Sequence, residues 1–171
     1  HRDLKPANVL LGEGDVPQLV DFGLARLTGA DTLTLSGAVL GTPAYMAPEQ
    51  VDTGRGELGV ATDVYGLGGV LYHALTGRAP FSGASVYGIM LSVLERPPLP
   101  PRSIAPAVPP ALEAICLRAL AKAPQDRQVS AEALGEELDA YLSGDAPVRQ
   151  ATLGWVAWVG LLVAVAGATA W

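Results

Sequence analysis

Apolar and polar positions along this chain follow two different periods, which separate a short β segment from a series of helices. Near the start, two apolar runs at 9–11 and 18–20 flank a glycine-rich polar turn at 12–15, a pattern typical of a β-hairpin. Farther on, apolar residues recur at helical spacing in four segments, 61–76, 85–94, 111–121 and 131–142. The sequence therefore predicts a mainly α-helical fold with one small β-hairpin.

The segment 61–76 predicts a buried helix. It is mostly apolar, follows Gly59, and stops at Gly77, a residue typical of helix ends. Its three internal glycines lower its helix propensity, so we expect it to be buried with close neighbours. Cys116, the single cysteine, lies in the apolar segment 111–121 and is expected to be a small buried hydrophobic residue.

Two features mark the connections between the later helices. The segment 95–110 holds seven prolines, so it is predicted to be a loop without regular helix or central strand; a polyproline ligand is the alternative interpretation. Ser130 is the expected N-cap of the helix 131–142.

The segment 152–171 predicts a transmembrane helix. It has 20 residues and no charge, and as a helix it would span about 30 Å, the thickness of a hydrocarbon core. Tryptophans lie toward its two ends, as interfacial aromatic residues often do. Arg149 on the near flank indicates that the preceding part faces the cytoplasm. The alternative interpretation is a buried core helix.

Composition narrows the possible partners. The 171 residues can bury a sizeable core, so neither a disulfide nor a structural metal is needed. The net charge is −6 and no run of Lys or Arg occurs, which excludes nucleic acid as an expected partner. The sequence carries no signal for an oligomeric state.

The residues that carry chemistry lie around the predicted hairpin. The run His-Arg-Asp-Leu-Lys-Pro-Ala-Asn occupies residues 1–8, and Asp-Phe-Gly occupies residues 21–23. Alone, an Asp beside an Arg is usually a surface ion pair and an Asn is usually a turn residue. Together, Asp3, Asn8 and Asp21 offer two carboxylates and one amide oxygen, which are groups that can accept a proton or bind magnesium.

These two runs resemble the catalytic loop and the metal-binding loop of protein kinases. The run Gly-Thr-Pro-Ala-Tyr-Met-Ala-Pro-Glu at 41–49 resembles the end of a kinase activation segment. The resemblance covers residues 1 to about 143. It implies the C-lobe of a protein kinase, whose parent fold is α+β, followed by the transmembrane helix.

The resemblance assigns roles to individual residues. Asp3 would be the catalytic carboxylate, with Lys5 and Thr42 as further catalytic residues. Asn8 and Asp21 would hold Mg²⁺. The residues assigned to ATP are Lys5, Asn8, Leu10 and Asp21.

Further residues are assigned structural roles by the same resemblance. Asp63 would brace the backbone of the catalytic loop, and Glu49 would pair with Arg127. His73 lies where many relatives carry an acidic residue facing substrate, and it is interpreted as a solvent-facing or partly buried helix residue. The remaining structural or regulatory residues are His1, Arg2, Phe22 and Gly23.

Regulation by phosphate is expected in the polar run at 28–37. Kinases with an Arg before the catalytic Asp commonly use it to hold a phosphorylated residue of the activation loop, and here that Arg is Arg2. Thr34 and Ser36 are the first candidates for phosphorylation, and Thr32 is the third. An ordinary flexible loop is the alternative interpretation of this run.

Lys5, Thr42 and Leu24 are features of the serine/threonine branch. With the predicted membrane helix, they make the chain resemble bacterial transmembrane serine/threonine kinases of the Hanks type. Expected partners are proteins with Ser or Thr hydroxyls and a membrane, spanned once with the kinase part cytoplasmic. The predicted division is a kinase C-lobe at 1–144, a juxtamembrane linker at 145–151 and the membrane helix at 152–171.

The sequence does not contain the glycine-rich loop and the lysine of a kinase small lobe. It is therefore interpreted as a fragment that is inactive by itself, although its parent would be an active kinase. A pseudokinase and a membrane-anchored scaffold without catalysis are the alternatives. The sequence upstream of His1 would discriminate between them, because it would show whether the loop and its lysine exist.

Overall fold

The structure is a computed structural model that describes residues 1–21 and 43–144. Within these ranges one small sheet is followed by helices packed around a central one, as the apolar pattern predicts. The strands are β1 (Val9–Leu11) and β2 (Pro17–Leu19). The helices are α1 (Pro48–Val51), α2 (Val60–Thr76), α3 (Val86–Glu95), α4 (Pro101–Ile104), α5 (Pro110–Ala119) and α6 (Ala131–Leu142).

The two strands form the predicted antiparallel hairpin. Val9 pairs with Leu19 and Leu11 pairs with Pro17. The turn is a short 3-10 segment in which Gly14 adopts a φ of 70°, a left-handed conformation that glycine adopts without strain. The second strand begins one residue earlier than predicted, because a proline is tolerated at the first position of a strand.

Helix α2 lies at the centre of the fold, and the prediction of a buried helix with close neighbours is confirmed. Eleven of its residues are buried, and Gly77 ends it with a φ of 70°. A Cβ atom on Gly66 would lie 2.7 Å from the Leu4 Cβ, and one on Gly68 would lie 2.7 Å from the Ala119 Cβ. These glycines therefore let the catalytic-loop segment and α5 pack directly on the α2 backbone.

The hydrophobic core forms where α5 and α6 pack on α2. Leu112 of α5 and Leu134 of α6 are both almost fully buried. Cys116 is fully buried as predicted, and its Sγ lies 3.7 Å from the Gly68 carbonyl oxygen. Burial raises the pKa of the Cys116 thiol, so this side chain is a packing residue.

The proline-rich segment departs from the prediction of a loop without helix. One α-helical turn, α4, occupies Pro101–Ile104, and α5 begins at Pro110 itself and ends at Ala119 rather than at residue 121. Both helices carry proline in the first turn, where the missing N–H has no helical partner to lose. The N-cap prediction is confirmed, since the Ser130 hydroxyl accepts a hydrogen bond from the Ala133 N–H at 3.1 Å.

Several predictions concern residues outside the described ranges. They include the linker 145–151 and the transmembrane helix 152–171. Within residues 1–21 and 43–144, no helix combines the length and the apolar character needed to cross a membrane.

Candidate active site

The site is built around Asp3, on the loop that leads into β1. The Lys5 ammonium lies 2.8 Å from the Asp3 Oδ2. The Asn8 side-chain amide donates to the Asp3 backbone carbonyl at 2.8 Å and to the Asp3 Oδ2 at 3.3 Å. A 3-10 turn at Pro6–Asn8 brings Asn8 back toward Asp3, and the proline favours that turn. The Asp3 carboxylate is thus held by one cation and one amide.

Asp63, in the first turn of α2, binds the backbone at the start of this loop. Its Oδ2 lies 2.9 Å from the His1 backbone nitrogen, and its Oδ1 accepts the Arg2 backbone N–H at 2.8 Å. On the other side of Arg2, its carbonyl accepts a hydrogen bond from the Gln50 side-chain amide at 2.7 Å. Arg2 adopts a φ of 66°, so its strained peptide is held at both its N–H and its carbonyl.

The His1 ring links the catalytic loop to the end of the hairpin. Its Nδ1 accepts the Asp3 backbone N–H at 3.3 Å, so the ring proton lies on Nε2, which donates to the Val20 carbonyl at 3.2 Å. Val20 immediately precedes Asp21, which also has a left-handed φ, 56°. The hairpin and His1 therefore fix the backbone at Asn8 and at Val20, next to the two expected magnesium ligands Asn8 and Asp21.

The donor set around this loop fits a magnesium ion bound together with phosphates. Within residues 1–21 and 43–144, the two hydrogen bonds of the Asn8 side chain both use its amide nitrogen, so its Oδ1 is available as an oxygen ligand. Asp21 adds an exposed carboxylate. Within the described residues no cluster of three or more His, Cys, Asp and Glu side chains could hold a metal. Magnesium commonly takes only one or two protein carboxylates and fills its remaining positions with water and phosphate oxygens.

A second ion pair, between Glu49 and Arg127, is fully buried. The Arg127 guanidinium meets the Glu49 carboxylate in two hydrogen bonds, of 2.7 and 2.8 Å, and both side chains have no exposed surface. The Thr62 hydroxyl donates to Glu49 at 3.0 Å. This contact ties α1, at the end of the activation segment, to the turn before α6.

Every N–H of the Arg127 guanidinium has an acceptor. Besides its two bonds to Glu49, it donates to the backbone carbonyls of Ala61, Ala121 and Lys122. Burial by itself raises the pKa of the Glu49 carboxyl, but the hydrogen bonds and charge of Arg127 outweigh burial and hold that pKa below its usual value. The pair is therefore charged and fully hydrogen-bonded within the protein interior.

Sequence reasoning missed two residues that connect these regions. Gln50 holds the catalytic-loop backbone and also accepts the Ala47 N–H at 2.9 Å through its Oε1. Thr62 holds Glu49, as described above. Both are buried polar side chains on short or central helices. Their positions between Glu49 and Asp63 were the available signal, because a polar residue on a buried helix face needs a partner.

His73 is partly buried, in agreement with its interpretation. Its Nδ1 lies 3.0 Å from the Tyr45 hydroxyl, which connects α2 to the end of the activation segment. The structure does not test the remaining assigned residues, because they lie outside the described ranges. These are Phe22, Gly23, Thr32, Thr34, Ser36 and Thr42.

The hairpin exposes apolar side chains beside the site. Leu10, Leu11 and Val16 are each more than half exposed. Leu10 is the residue assigned to ATP, and its exposure leaves an apolar surface available to a planar ring.

Comparison with known proteins gives a single family. The family described as "Protein kinase domain" matches residues 1–138. The chain is 45% identical over 148 residues to "Serine/threonine-protein kinase Pkn1" of Myxococcus xanthus, covering 84% of this chain and 21% of that protein.

Two further relatives carry similar names. The chain is 38% identical over 154 residues to "Probable serine/threonine-protein kinase PknB" of Bifidobacterium longum, covering 88% of this chain and 22% of that protein. It is 40% identical over 151 residues to "Serine/threonine-protein kinase PknB" of Mycolicibacterium smegmatis, covering 86% and 24%. The chain thus spans between a fifth and a quarter of the length of these relatives.

Proposed function

The chain belongs to the protein kinase family, and on that basis we propose that the protein containing it transfers the γ-phosphoryl group of ATP to serine and threonine hydroxyls of proteins. The observation that carries the proposal is the arrangement at Asp3. A carboxylate, an ammonium 2.8 Å away and a side-chain amide meet on a loop whose backbone is anchored by Asp63. These are the groups that phosphoryl transfer needs beside the acceptor hydroxyl.

Each residue has a physical role in this reaction. Asp3 orients the acceptor hydroxyl and accepts its proton. Lys5 places a positive charge beside Asp3, where negative charge develops on the transferring group. Asn8 and Asp21 would hold Mg²⁺, and that ion would supply neutralisation of the phosphate charges. Leu10 would contact the adenine ring.

The test is Asp3→Asn in the full-length protein. Loss of the base should lower the rate of phosphoryl transfer on the order of 10²- to 10⁴-fold. Nucleotide affinity should stay the same, because Asn8 and Asp21 remain. A radiolabelled-ATP assay with a protein substrate measures the first quantity and nucleotide titration the second. Undiminished transfer in the variant would remove Asp3 from the catalytic role.

Activation by phosphate on the loop is part of the same proposal. The Arg2 side chain is exposed, and no hydrogen bond or ion pair within residues 1–21 and 43–144 uses its guanidinium. It is therefore available to a phosphate on Thr32, Thr34 or Ser36. Mass spectrometry of the active full-length protein should find phosphate on this run. A variant with all three residues changed to Ala and full activity would contradict the proposal.

Membrane anchoring is the second part of the proposed function. Residues 152–171 carry no charge and are long enough to span a bilayer, which would place the kinase part in the cytoplasm. The full chain should sediment with membranes and need detergent for extraction, whereas a chain ending at Gly144 should not. Recovery of the full chain as a monodisperse protein without detergent would contradict a membrane span.

A further inference from the structure

Helix α2 holds two segments of the site by side-chain contacts. Asp63, in its first turn, accepts the backbone N–H of Arg2, next to Asp3. His73 lies ten residues farther along the helix, about 15 Å along its axis, and its Nδ1 is 3.0 Å from the Tyr45 hydroxyl. The helix therefore binds the catalytic loop near one end and the end of the activation segment near the other.

The Tyr45 ring packs directly on the backbone of α2. A Cβ atom on Gly69 would lie 3.1 Å from the Tyr45 Cδ1, so the missing side chain makes room for the ring. Gly69 and His73 are four residues apart and lie on the same face of the helix. Gly69 thus places the ring and His73 places its hydroxyl. Burial raises the pKa of Tyr45, so the hydroxyl keeps its proton at neutral pH and can donate this hydrogen bond.

Tyr45 lies beside Asp3. The two residues line one small cavity together with Leu4, and Tyr45 is partly exposed. Asn8 and Asp21, the residues proposed to hold magnesium, are not among the described residues that line this cavity. We therefore place Tyr45 on the side of Asp3 that receives the acceptor hydroxyl rather than on the side that receives the nucleotide.

We propose that His73 is a positioning residue for the protein substrate, acting through Tyr45. By fixing the hydroxyl, His73 holds the Tyr45 ring in one orientation where the substrate segment lies beside Asp3. Placement of the acceptor hydroxyl against Asp3 supplies much of the rate of phosphoryl transfer. This inference rests on the proposed function, because it needs a protein substrate at Asp3.

Loss of this hydrogen bond should weaken substrate binding more than the chemical step. In His73→Ala the Tyr45 ring keeps its contact with Gly69, but its hydroxyl loses its partner. The KM for the protein substrate should rise about two- to tenfold, the range expected for one neutral hydrogen bond, while the KM for ATP stays unchanged. A purely structural role would give a different result, because a smaller folded fraction lowers kcat and leaves both KM values unchanged.

The test uses the full-length protein, with dephosphorylated casein as the probe substrate and steady-state kinetics at varied casein and varied ATP. Tyr45→Phe removes the other partner and should give the same rise in the casein KM as His73→Ala, and the double variant should show no further rise. His73→Asn should return the KM toward the wild-type value, because its amide is attached to Cγ as Nδ1 is. Tyr87→Phe is the matched control, because Tyr87 is 75% exposed on α3.

The outcomes separate this inference from the proposed function. Absence of transfer by the wild type would overturn the proposed function, and this inference with it. Transfer by the wild type, with a casein KM in His73→Ala equal to that in Tyr87→Phe, would overturn this inference alone. Additive effects of His73→Ala and Tyr45→Phe, a loss confined to kcat, or an equal rise in the KM for ATP would also overturn it.

Discussion

Two lysine- or arginine-to-carboxylate pairs in this protein have similar distances and opposite surroundings. The Lys5–Asp3 pair is 2.8 Å long, and its side chains are 20% and 29% exposed. The Arg127–Glu49 pair is 2.7 Å long, and its side chains are not exposed at all. A charged group that binds substrate has to be accessible to solvent, whereas a charged group that stabilises the fold can be fully buried.

Arg127 and Lys5 also differ in how many of their N–H donors have an acceptor in the protein. Arg127 uses all five of its N–H donors on protein acceptors. Lys5 has three donors, and one of them binds Asp3. We therefore assign chemistry to the Lys5–Asp3 pair and stability to the Arg127–Glu49 pair.

The largest expected effect is on stability. Arg127→Ala leaves the Glu49 carboxylate buried without a cation, which typically costs on the order of 3–5 kcal/mol. Thermal or chemical unfolding of the full chain measures the loss. Arg118→Ala is the matched control, because Arg118 pairs with Glu137 at 2.6 Å but is 52% exposed, and an exposed pair contributes about 0–1 kcal/mol. Equal losses in the two variants would show that burial does not distinguish the pairs.

Acid should weaken the buried pair in a defined range. The folded-state pKa of Glu49 lies below the ordinary value of 4.5, so the stabilisation is fully present above about 4.5 and is lost as pH falls through the folded-state value. The unfolding free energy of the wild type should exceed that of Glu49→Gln by a constant amount from pH 5 to 7. That excess should shrink below pH 4.5. An excess unchanged down to pH 3 would contradict the assignment of the charged form.

A smaller effect is expected at Asp63, which holds the backbone of the loop that carries Asp3 and Lys5. Asp63→Asn keeps one acceptor oxygen and replaces the other by an NH2 group, so one of the two hydrogen bonds, to the His1 nitrogen or to the Arg2 N–H, is lost at a cost of about 1.5–3 kcal/mol for a hydrogen bond to a charged group. The strained Arg2 peptide should relax and the phosphoryl-transfer rate should fall by more than the melting temperature explains. Asp52→Asn, which alters an exposed carboxylate bonded to the Gly54 N–H, is the control.

Local pattern predicted the elements of the fold well. The hairpin, α2, and the Ser130 cap depend on spacing, glycine and serine positions, which act within one or two turns. The pattern does not predict α4, because seven prolines in 95–110 argue against a helix, although a proline in the first helical turn loses no hydrogen bond.

The candidate site could not be predicted from local sequence pattern alone. A family resemblance identified Asp3, Asn8 and Asp21 as site residues. The same resemblance predicted the contact of Glu49 with Arg127. The hydrogen bond of Gln50 to the Arg2 carbonyl joins residues 48 positions apart. No periodicity carries that information, because it arises only when α1 packs against the catalytic loop.

The division between the two ion pairs is tested most directly by Lys5→Met in the full-length protein, with activity and melting temperature measured on the same preparation. Methionine keeps an unbranched apolar stem of similar size and removes the charge. We predict that phosphoryl transfer falls at least tenfold while the melting temperature falls by much less than in Arg127→Ala, because the Lys5–Asp3 pair keeps contact with solvent. A fall in melting temperature as large as that of Arg127→Ala, or an unchanged rate, would contradict the account.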